Sequence, residues 1–332
     1  MNIQESHLTK NQHLQIYKLM LSCRAIDKRV WMLNRQGKAA IVASAQGHES
    51  AQIASTVALE IGKDVFFTYY RDLGVLISLG LSFTAILQGF TAKSGEPMSG
   101  ARQFPTHGAI PDKKLINLSN VVGTQIPQAV GAALSAKIKG TDEVVIVYFG
   151  DGASSAGDCH EGMNFASIHK LPIIFFCENN GYAISVPLNQ QIATDNIASR
   201  AEGYGMPGTT IDGNDVNLVY ETTKLASRRA RNGEGPTLIE AKTYRHSGHS
   251  RADPATYRPE GELEKWLERD PLKIYRKRLI DFGVKESKVV AIENAVLKAV
   301  DDATEFAKNS STPSKDVLMT EVWADGGSSW RN

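Results

Sequence analysis

The chain has 332 residues, a hydrophobic content of 42% and a formal net charge of +1. That length buries a substantial core, in one large domain or two small ones, and the near-neutral balance argues against a nucleic-acid or membrane-surface partner. Three cysteines without a CxxC pair (Cys23, Cys159, Cys177) read as reduced core thiols. A start, MNIQESHLTK, without signal- or transit-peptide character makes the cytoplasm the expected location, or the mitochondrial matrix for a trimmed organellar form.

From Lys10 to Arg35, Ile16, Leu19, Met20, Cys23, Ile26, Val30 and Leu33 recur every three or four residues, a helical period with Gly37 as its stop. A helix this long ahead of the main unit reads as scaffolding. A second helix is expected from Glu49 to Ile61. The short strand from Val65 to Phe67 then leads to Tyr69-Tyr70-Arg71-Asp72, where an arginine suits either phosphate recognition or an ion pair with Asp72. The stretch from Lys93 to Lys113 holds Gly95, Pro97, Gly100, Pro105, Gly108 and Pro111 and is expected as a loop; His107 on it is a candidate active-site residue of second rank, since a lone loop histidine is more often surface than catalytic. Leu115 to Leu118 reads as a strand and Thr124 to Lys139 as a small-residue helix. Between them Ser119, Asn120, Thr124 and Gln125 crowd oxygen donors into a turn, which capping would explain.

The next stretch organises the rest. An apolar run, Val144 to Phe149, feeds Gly150-Asp151-Gly152, and a second, Ile173 to Cys177, feeds Asn179-Asn180. Between them Asp158 is expected to cap a helix with Met163, Phe165, Ala166 and Ile168 at helical spacing, closed by Pro172. This is a βαβ unit with parallel, buried strands. The glycines let backbone approach an anion, but Asp151 between them would repel a bare diphosphate unless a divalent cation lay between. The motif therefore predicts Mg²⁺ together with a diphosphate: Asp151 supplies charge, and Asn180 and nearby carbonyls supply neutral oxygens. A dinucleotide turn is the alternative, with Glu178 where a ribose-binding acid would sit. Gly150, Gly152 and Gly157 space as GxGxxxxG rather than GxGxxG, and a metal-free turn has no use for Asp151.

Further on, Asp215 is expected to cap a helix from Val216 to Arg231 that ends at Gly233, its basic end complementing the helix dipole. A strand from Thr237 to Thr243 delivers a polar loop, Tyr244 to Pro254, whose histidines lie where acid and base chemistry is expected. Charged helices follow, one from Asp270-Pro271 to about Ile280 and one from about Ser287 to Lys308, with the composition of a peripheral arm. Together these elements predict an α/β fold: a doubly wound, mostly parallel sheet with helices on both faces. The chain is expected as one domain over 1–332, with a helical arm (1–40), a core (41–259) and a helical C-terminal arm (260–332). Tyr70-Arg71, Ser119 to Gln125, Asp151, Asn180 and His249 all fall at strand carboxyl ends, where such a sheet binds ligands.

GDG followed by NN at this separation resembles the thiamin diphosphate motif. CHEGMNFASIHKLPIIFFCENNGYAIS resembles the α subunit of the first, decarboxylating component of a 2-oxo acid dehydrogenase complex, and the resemblance covers nearly the whole chain. It implies thiamin diphosphate and Mg²⁺ as cofactors. Tyr70 and Arg71 match the pair that contacts the diphosphate, and Val122, Gly150, Asp151, Gly152, Ala153, Asn180, Tyr182, Ala183, Ile184 and His249 fall at cofactor-contacting positions. Asp151, Asn180 and the Tyr182 carbonyl would hold Mg²⁺. His249 matches the active-site histidine, and Ser250 the serine phosphorylated in eukaryotic members. Some members hold a structural K⁺ at positions matching Ser119, Thr124 and Gln125, although Asn120 stands where the relatives most like this chain usually have serine. No glutamate here suits the carboxylate that must face the aminopyrimidine. The family takes it from a β subunit, which implies two α and two β subunits docking onto a lipoyl-bearing acyltransferase. NRQGK, ENNGYAISVP and GYGMPGTTIDGNDV resemble the branched-chain members, which act on 3-methyl-2-oxobutanoate and its homologues. GDG, Glu178 and Asp253-Pro254 resemble the pyruvate enzymes more, so pyruvate or acetoin is the alternative substrate. A nicotinamide-dependent dehydrogenase and a catalytically silent scaffold subunit are the readings from other classes.

Overall fold

The structure, a computed structural model, describes residues 7–117 and 120–320. A 26-residue helix, α1 (Lys10–Arg35), opens it where the 3.6-residue period predicts. Thr9 and Gln12 close a reciprocal capping box, with Gln12 N donating to Thr9 Oγ1 and Thr9 N donating to Gln12 Oε1. The elements that follow are α2 (Glu49–Val57), β1 (Val65–Phe67), α3 (Leu73–Ser78), α4 (Phe83–Phe90), β2 (Gly108–Ile110), β3 (Leu115–Asn117) and α5 (Gln125–Lys139). Then come β4 (Val145–Gly150), α6 (Gly157–Ile168), β5 (Ile173–Asn179), β6 (Tyr182–Ala183), β7 (Val186–Pro187), α7 (Arg200–Gly203), β8 (Gly208–Asp212), α8 (Val216–Arg231) and β9 (Thr237–Lys242). Three helices end the described chain: α9 (Glu262–Glu268), α10 (Pro271–Asp281) and α11 (Glu286–Asn309).

The sheet runs β2-β3-β1-β4-β5-β9-β8, parallel throughout except for β2, which pairs antiparallel with β3 at one edge; β6 and β7 form a separate small hairpin. Alternation along the strands builds two cores. Ile146 and Tyr148 of β4 with Ile174 and Phe176 of β5 face a core shared with α1, α2, α8, α10 and α11. Val145, Val147 and Phe149 with Ile173, Phe175 and Cys177 face the opposite core, closed by α5 and α6. The doubly wound expectation is met. The C-terminal helices place Leu272, Tyr275, Leu279, Val289 and Val300 in the same cluster as α1, so the first and last helices pack on each other instead of standing apart. Among the described residues no helix is long and apolar enough to cross a membrane.

Several local expectations need correction. Asp158 does not cap α6: residues Asp151–Ser155 wind as a 3₁₀ turn and the helix starts at Gly157, which leaves Asp158 inside its first turn, where its charge still favours the helix dipole. Phe165 and Ile168 stay exposed while Met163 and Ala166 are buried. The second helix stops at Val57, short of Ile61, because Glu60 N donates to Asp64 Oδ2 at 2.8 Å and draws the chain into a turn. The stretch from Lys93 to Lys113 contains strand β2, since Gly108–Ile110 finds backbone partners on β3. Strand β8, unforeseen in the sequence, adds to β9 at the other edge.

Candidate cofactor and catalytic site

In chain order the sheet grows from β1 to β3 on one side and then to β4 on the other, so the crevice beyond β1 and β4 is the switch point where such sheets take ligands. Each flanking strand delivers polar groups to it. After β1 the chain turns sharply, because Asp72 Oδ2 accepts from Tyr69 N at 2.8 Å. Arg71 follows that turn with 2% exposure. Its Nη1 donates to Ser44 O at 2.5 Å, its Nη2 lies 3.5 Å from His249 Nδ1, and its guanidinium sits 5.4 Å from the Tyr70 ring centroid. The 44–46 turn that presents the Ser44 carbonyl is itself held by Asp27 of α1, whose carboxylate accepts from Ser44 Oγ, Ala45 N and Gln46 Nε2 at 2.7 to 2.8 Å. The scaffolding helix thus reaches the site through one buried acid.

After β4, Asp151 is 1% exposed and accepts only from neutral donors among the described residues: Asn180 N at 3.4 Å and Gln191 Nε2 at 2.8 Å. Burial pushes its carboxyl pKa up. Gly152 has to be glycine, because a Cβ there would lie 2.8 Å from Ala183 Cβ. After β5, Asn180 Oδ1 accepts from Tyr182 N at 3.3 Å, and Asn180 Nδ2 lies 3.3 Å from His48 Nε2. Ile184 carries φ +56°, a left-handed conformation rare for a branched side chain and concentrated at functional sites. After β9, Arg245 is 1% exposed, donates from Nη2 to Ile184 O and Tyr257 Oη, and brings Nη1 to 3.5 Å from His249 Nδ1. His249 is fixed by its own N–H, which donates to Asp253 Oδ2 at 2.5 Å. Burial, with Arg71 and Arg245 beside it, lowers its pKa to about 4, so the imidazole is neutral at pH 7 in the ligand-free chain.

These groups line one cavity of about 210 Å³. Tyr70, Arg71, Val122, Gly150, Asp151, Gly152, Ala153, Asn180, Tyr182, Ala183, Ile184 and His249, all expected at the cofactor, are brought together in its wall. Gln125 also reaches it, but its amide donates to Tyr148 O at 3.0 Å, and the Thr124 hydroxyl donates to Val121 O at 2.6 Å. Ser119, the third expected K⁺ position, lies outside the described residues. Ser250 lines a neighbouring hollow instead. Arg245 was missed in the sequence, though it follows a strand end just as Arg71 does. Gln191, which orients Asp151, carried no signal at all, since the hairpin β6–β7 separates it from the motif.

Chemically the cavity pairs two buried guanidiniums with a buried carboxylate that has no cation within ion-pair distance among the described residues. A diphosphate with a divalent metal would suit both halves at once: the arginines could meet phosphate oxygens, and Asp151 and Asn180 could offer oxygens to a hard cation. No cluster of three or more His, Cys, Asp or Glu occurs among the described residues.

The dehydrogenase E1 component profile matches residues 17–316. The chain belongs to that family. It is an α-type subunit of an E1 component, an oxidoreductase, and by that membership implies a β partner and a multienzyme complex. The chain is 42% identical to a 2-oxoisovalerate dehydrogenase subunit α of Bacillus subtilis, over 96% of this chain and 97% of the relative. It is 38% identical to the mitochondrial 2-oxoisovalerate dehydrogenase subunit α of Homo sapiens, over 97% and 73%. A 3-methyl-2-oxobutanoate dehydrogenase subunit α of Mycobacterium tuberculosis is 37% identical, over 93% and 82%.

Proposed function

We propose that this chain forms the α half of a thiamin diphosphate- and Mg²⁺-dependent enzyme that decarboxylates a branched-chain 2-oxo acid of the 3-methyl-2-oxobutanoate type and passes the acyl group to the lipoyl group of an acyltransferase component. The observation that carries the reading is the meeting, in one cavity, of buried Arg71 and Arg245 with buried Asp151 and Asn180. When bound, thiamin diphosphate would supply the nucleophilic thiazolium and the electron sink that decarboxylation of a 2-oxo acid needs. The residues of this chain would hold that group and set its surroundings. Arg71 and Arg245 hold the diphosphate, while Asp151, Asn180 and the Tyr182 carbonyl hold Mg²⁺. Gly152 allows the close approach that a side chain would block. His249, held by Asp253 and facing both arginines, is placed to give or take a proton once the diphosphate has offset their charge. The names of the relatives support the branched-chain substrate, as do the stretches ENNGYAISVP and GYGMPGTTIDGNDV.

Asp151 is the one carboxylate among the described residues lining the cavity. The carboxylate that must face the cofactor's aminopyrimidine therefore comes from another chain, and we assign it to a β subunit in an assembly of two α and two β. Exposed Val121, Val122 and Ile184 at the cavity wall, with Phe165 and Ile168 on α6, supply apolar surface for that partner. The test is decarboxylation by the complex of this chain with its β partner, comparing 3-methyl-2-oxobutanoate with pyruvate, with and without Mg²⁺ and thiamin diphosphate. Cofactor-dependent turnover favouring the branched acid is expected; preference for pyruvate would keep the site and change the substrate. In Asp151→Ala, loss of a buried charged contact worth about 3 to 5 kcal/mol should weaken Mg²⁺-dependent thiamin diphosphate binding by roughly a hundredfold or more in calorimetry. Unchanged affinity would remove the metal-ligand assignment.

A further inference from the structure

Helix α2 starts on a residue that does not cap it. An N-cap position favours Ser, Thr, Asp or Asn, whose oxygen takes up a free amide of the first turn. Here it holds His48, and the imidazole makes no capping hydrogen bond. The side chain is instead fully enclosed, at 0% exposure. Gly47 before it sits at φ +94°, and Gly47 N donates to Glu49 Oε2 at 2.8 Å. His48 N donates to Ala45 O at 3.0 Å. A turn tied this closely fixes the direction in which the ring leaves the backbone, and that direction is toward the loop after β5.

There His48 Nε2 lies 3.3 Å from Asn180 Nδ2. The two ends of an asparagine amide differ in hydrogen-bond polarity, so the partners decide which end is left for a ligand. Tyr182 N lies 3.3 Å from one end, and a backbone N–H needs an acceptor, which makes that end Oδ1. Nδ2 therefore faces His48. An amide nitrogen donates and does not accept, so Nε2 is the bare nitrogen of the ring and the proton sits on Nδ1. Among the described residues Nδ1 has no hydrogen-bond partner, which leaves Asn180 as the one bonded neighbour of a buried polar ring. Asn180 lines the cofactor cavity, whereas His48 is not among its described lining residues.

We propose that His48 is a positioning residue for the metal site: by accepting from Asn180 Nδ2 it keeps Asn180 Oδ1 available to the divalent cation. The same hydrogen bond turns away the wrong end of the amide, because an NH₂ group facing the cation would repel it. His48 moves no proton and needs no contact with metal or cofactor. The inference rests on the function proposed above, which supplies the cation.

Metal affinity tests it. In the complex of this chain with its β partner, at saturating thiamin diphosphate, Mn²⁺ is the probe and its binding is followed by electron paramagnetic resonance; Mn²⁺ suits the same oxygen ligands as Mg²⁺. His48→Leu deletes the acceptor and should weaken Mn²⁺ binding roughly three- to tenfold, the worth of one neutral hydrogen bond. His48→Gln carries an oxygen that can accept from Nδ2 and should stay within about twofold of the unsubstituted complex. In an Asn180→Ala background, where the amide is gone, His48→Leu should add no further loss. Losses that add in the double variant, unchanged affinity in His48→Leu, or equal losses in His48→Leu and His48→Gln would each overturn the assignment. If His48→Leu does not assemble, His48→Met, which fills the space with a thioether that accepts only weakly, carries the same expectation. Failure of both to assemble would mark His48 as a folding residue and overturn the proposal. An unsubstituted complex that holds no Mn²⁺ with thiamin diphosphate would instead sink the proposed function, and this inference with it.

Discussion

Glu178, next to last in β5, has its carboxyl fully enclosed. Oε2 accepts from Tyr69 Oη at 2.9 Å and from Gln52 Nε2 at 3.1 Å, and the same Gln52 amide lies 3.4 Å from Asp72 Oδ1. Two carboxyl groups thus share one buried pocket behind Arg71, and burial drives both pKa values up; the charge of Glu178 raises Asp72 further, while hydrogen bonds from Gln52, Tyr69 and Asp72 hold Glu178 back. One proton is retained between them well above the usual carboxylate range. The consequence for stability has a definite sign. A carboxyl whose folded pKa is raised favours the native state below its unfolded pKa, near 4.5, and loses that contribution as pH climbs through the folded value. Glu178→Gln removes the titration and keeps an acceptor for Tyr69. We expect the substituted protein to lose less stability than the native chain between pH 5 and 8 in urea melts; parallel pH profiles would show that the pair does not titrate there.

At the scale of elements, the small-residue helix α5 earns its composition from the sheet it covers. Ala129 and Ala133 are buried in the core of Val145, Val147, Phe149 and Met163, and Gly162 of α6 comes so close that a Cβ would meet Ile126 at 2.9 Å. Ala133→Leu should therefore overpack that layer and cost about 1 to 3 kcal/mol in thermal unfolding, with far-UV spectra unchanged. The histidine loop after β9 depends on a comparable close fit. His246 N donates to Gln46 O at 3.1 Å, and Gly47, at φ +94°, leaves no room for a side chain, since a Cβ would fall 1.9 Å from Tyr244 O. Because Asp27 holds the 44–46 turn, a single buried acid on α1 sets both Arg71 and the loop that carries His249.

For the molecule as a whole, the exposed apolar residues are distributed unevenly in function. Ile168 is 67% exposed and Phe165 41%, both on α6, which follows directly from the Asp151 turn, and Ile138 at the end of the adjoining α5 is 76% exposed. Covered by a β subunit, this surface would be buried; left bare, it would promote aggregation. Ile168→Glu should change the chain's own unfolding free energy by no more than about 0.5 kcal/mol, because the site is open to solvent. In analytical ultracentrifugation it should weaken association with β by roughly tenfold or more if Ile168 lies in the interface. Unaltered association would place β on another face.

The sequence determined every element whose signal is local. The 3.6-residue period and the cap at Thr9 mark α1, Asp215 caps α8, and the β-branched runs ending in GDG and NN mark β4 and β5, because propensity, capping and turn chemistry act within a few residues. It also placed Arg71, Asp151, Asn180 and His249 at strand ends, and parallel packing makes all such ends meet at one crevice. The tertiary structure decided what depends on neighbours remote in sequence. Strands β2 and β8 exist because β3 and β9 offer them free edges. Whether Phe165 faces core or solvent depends on which side of α6 meets α5. Arg245, Gln191 and Asp27 join the site because hydrogen bonds to Ile184, Asp151 and the 44–46 turn, 17 to 61 residues away, hold them there, and no local pattern in the sequence encodes such a pairing.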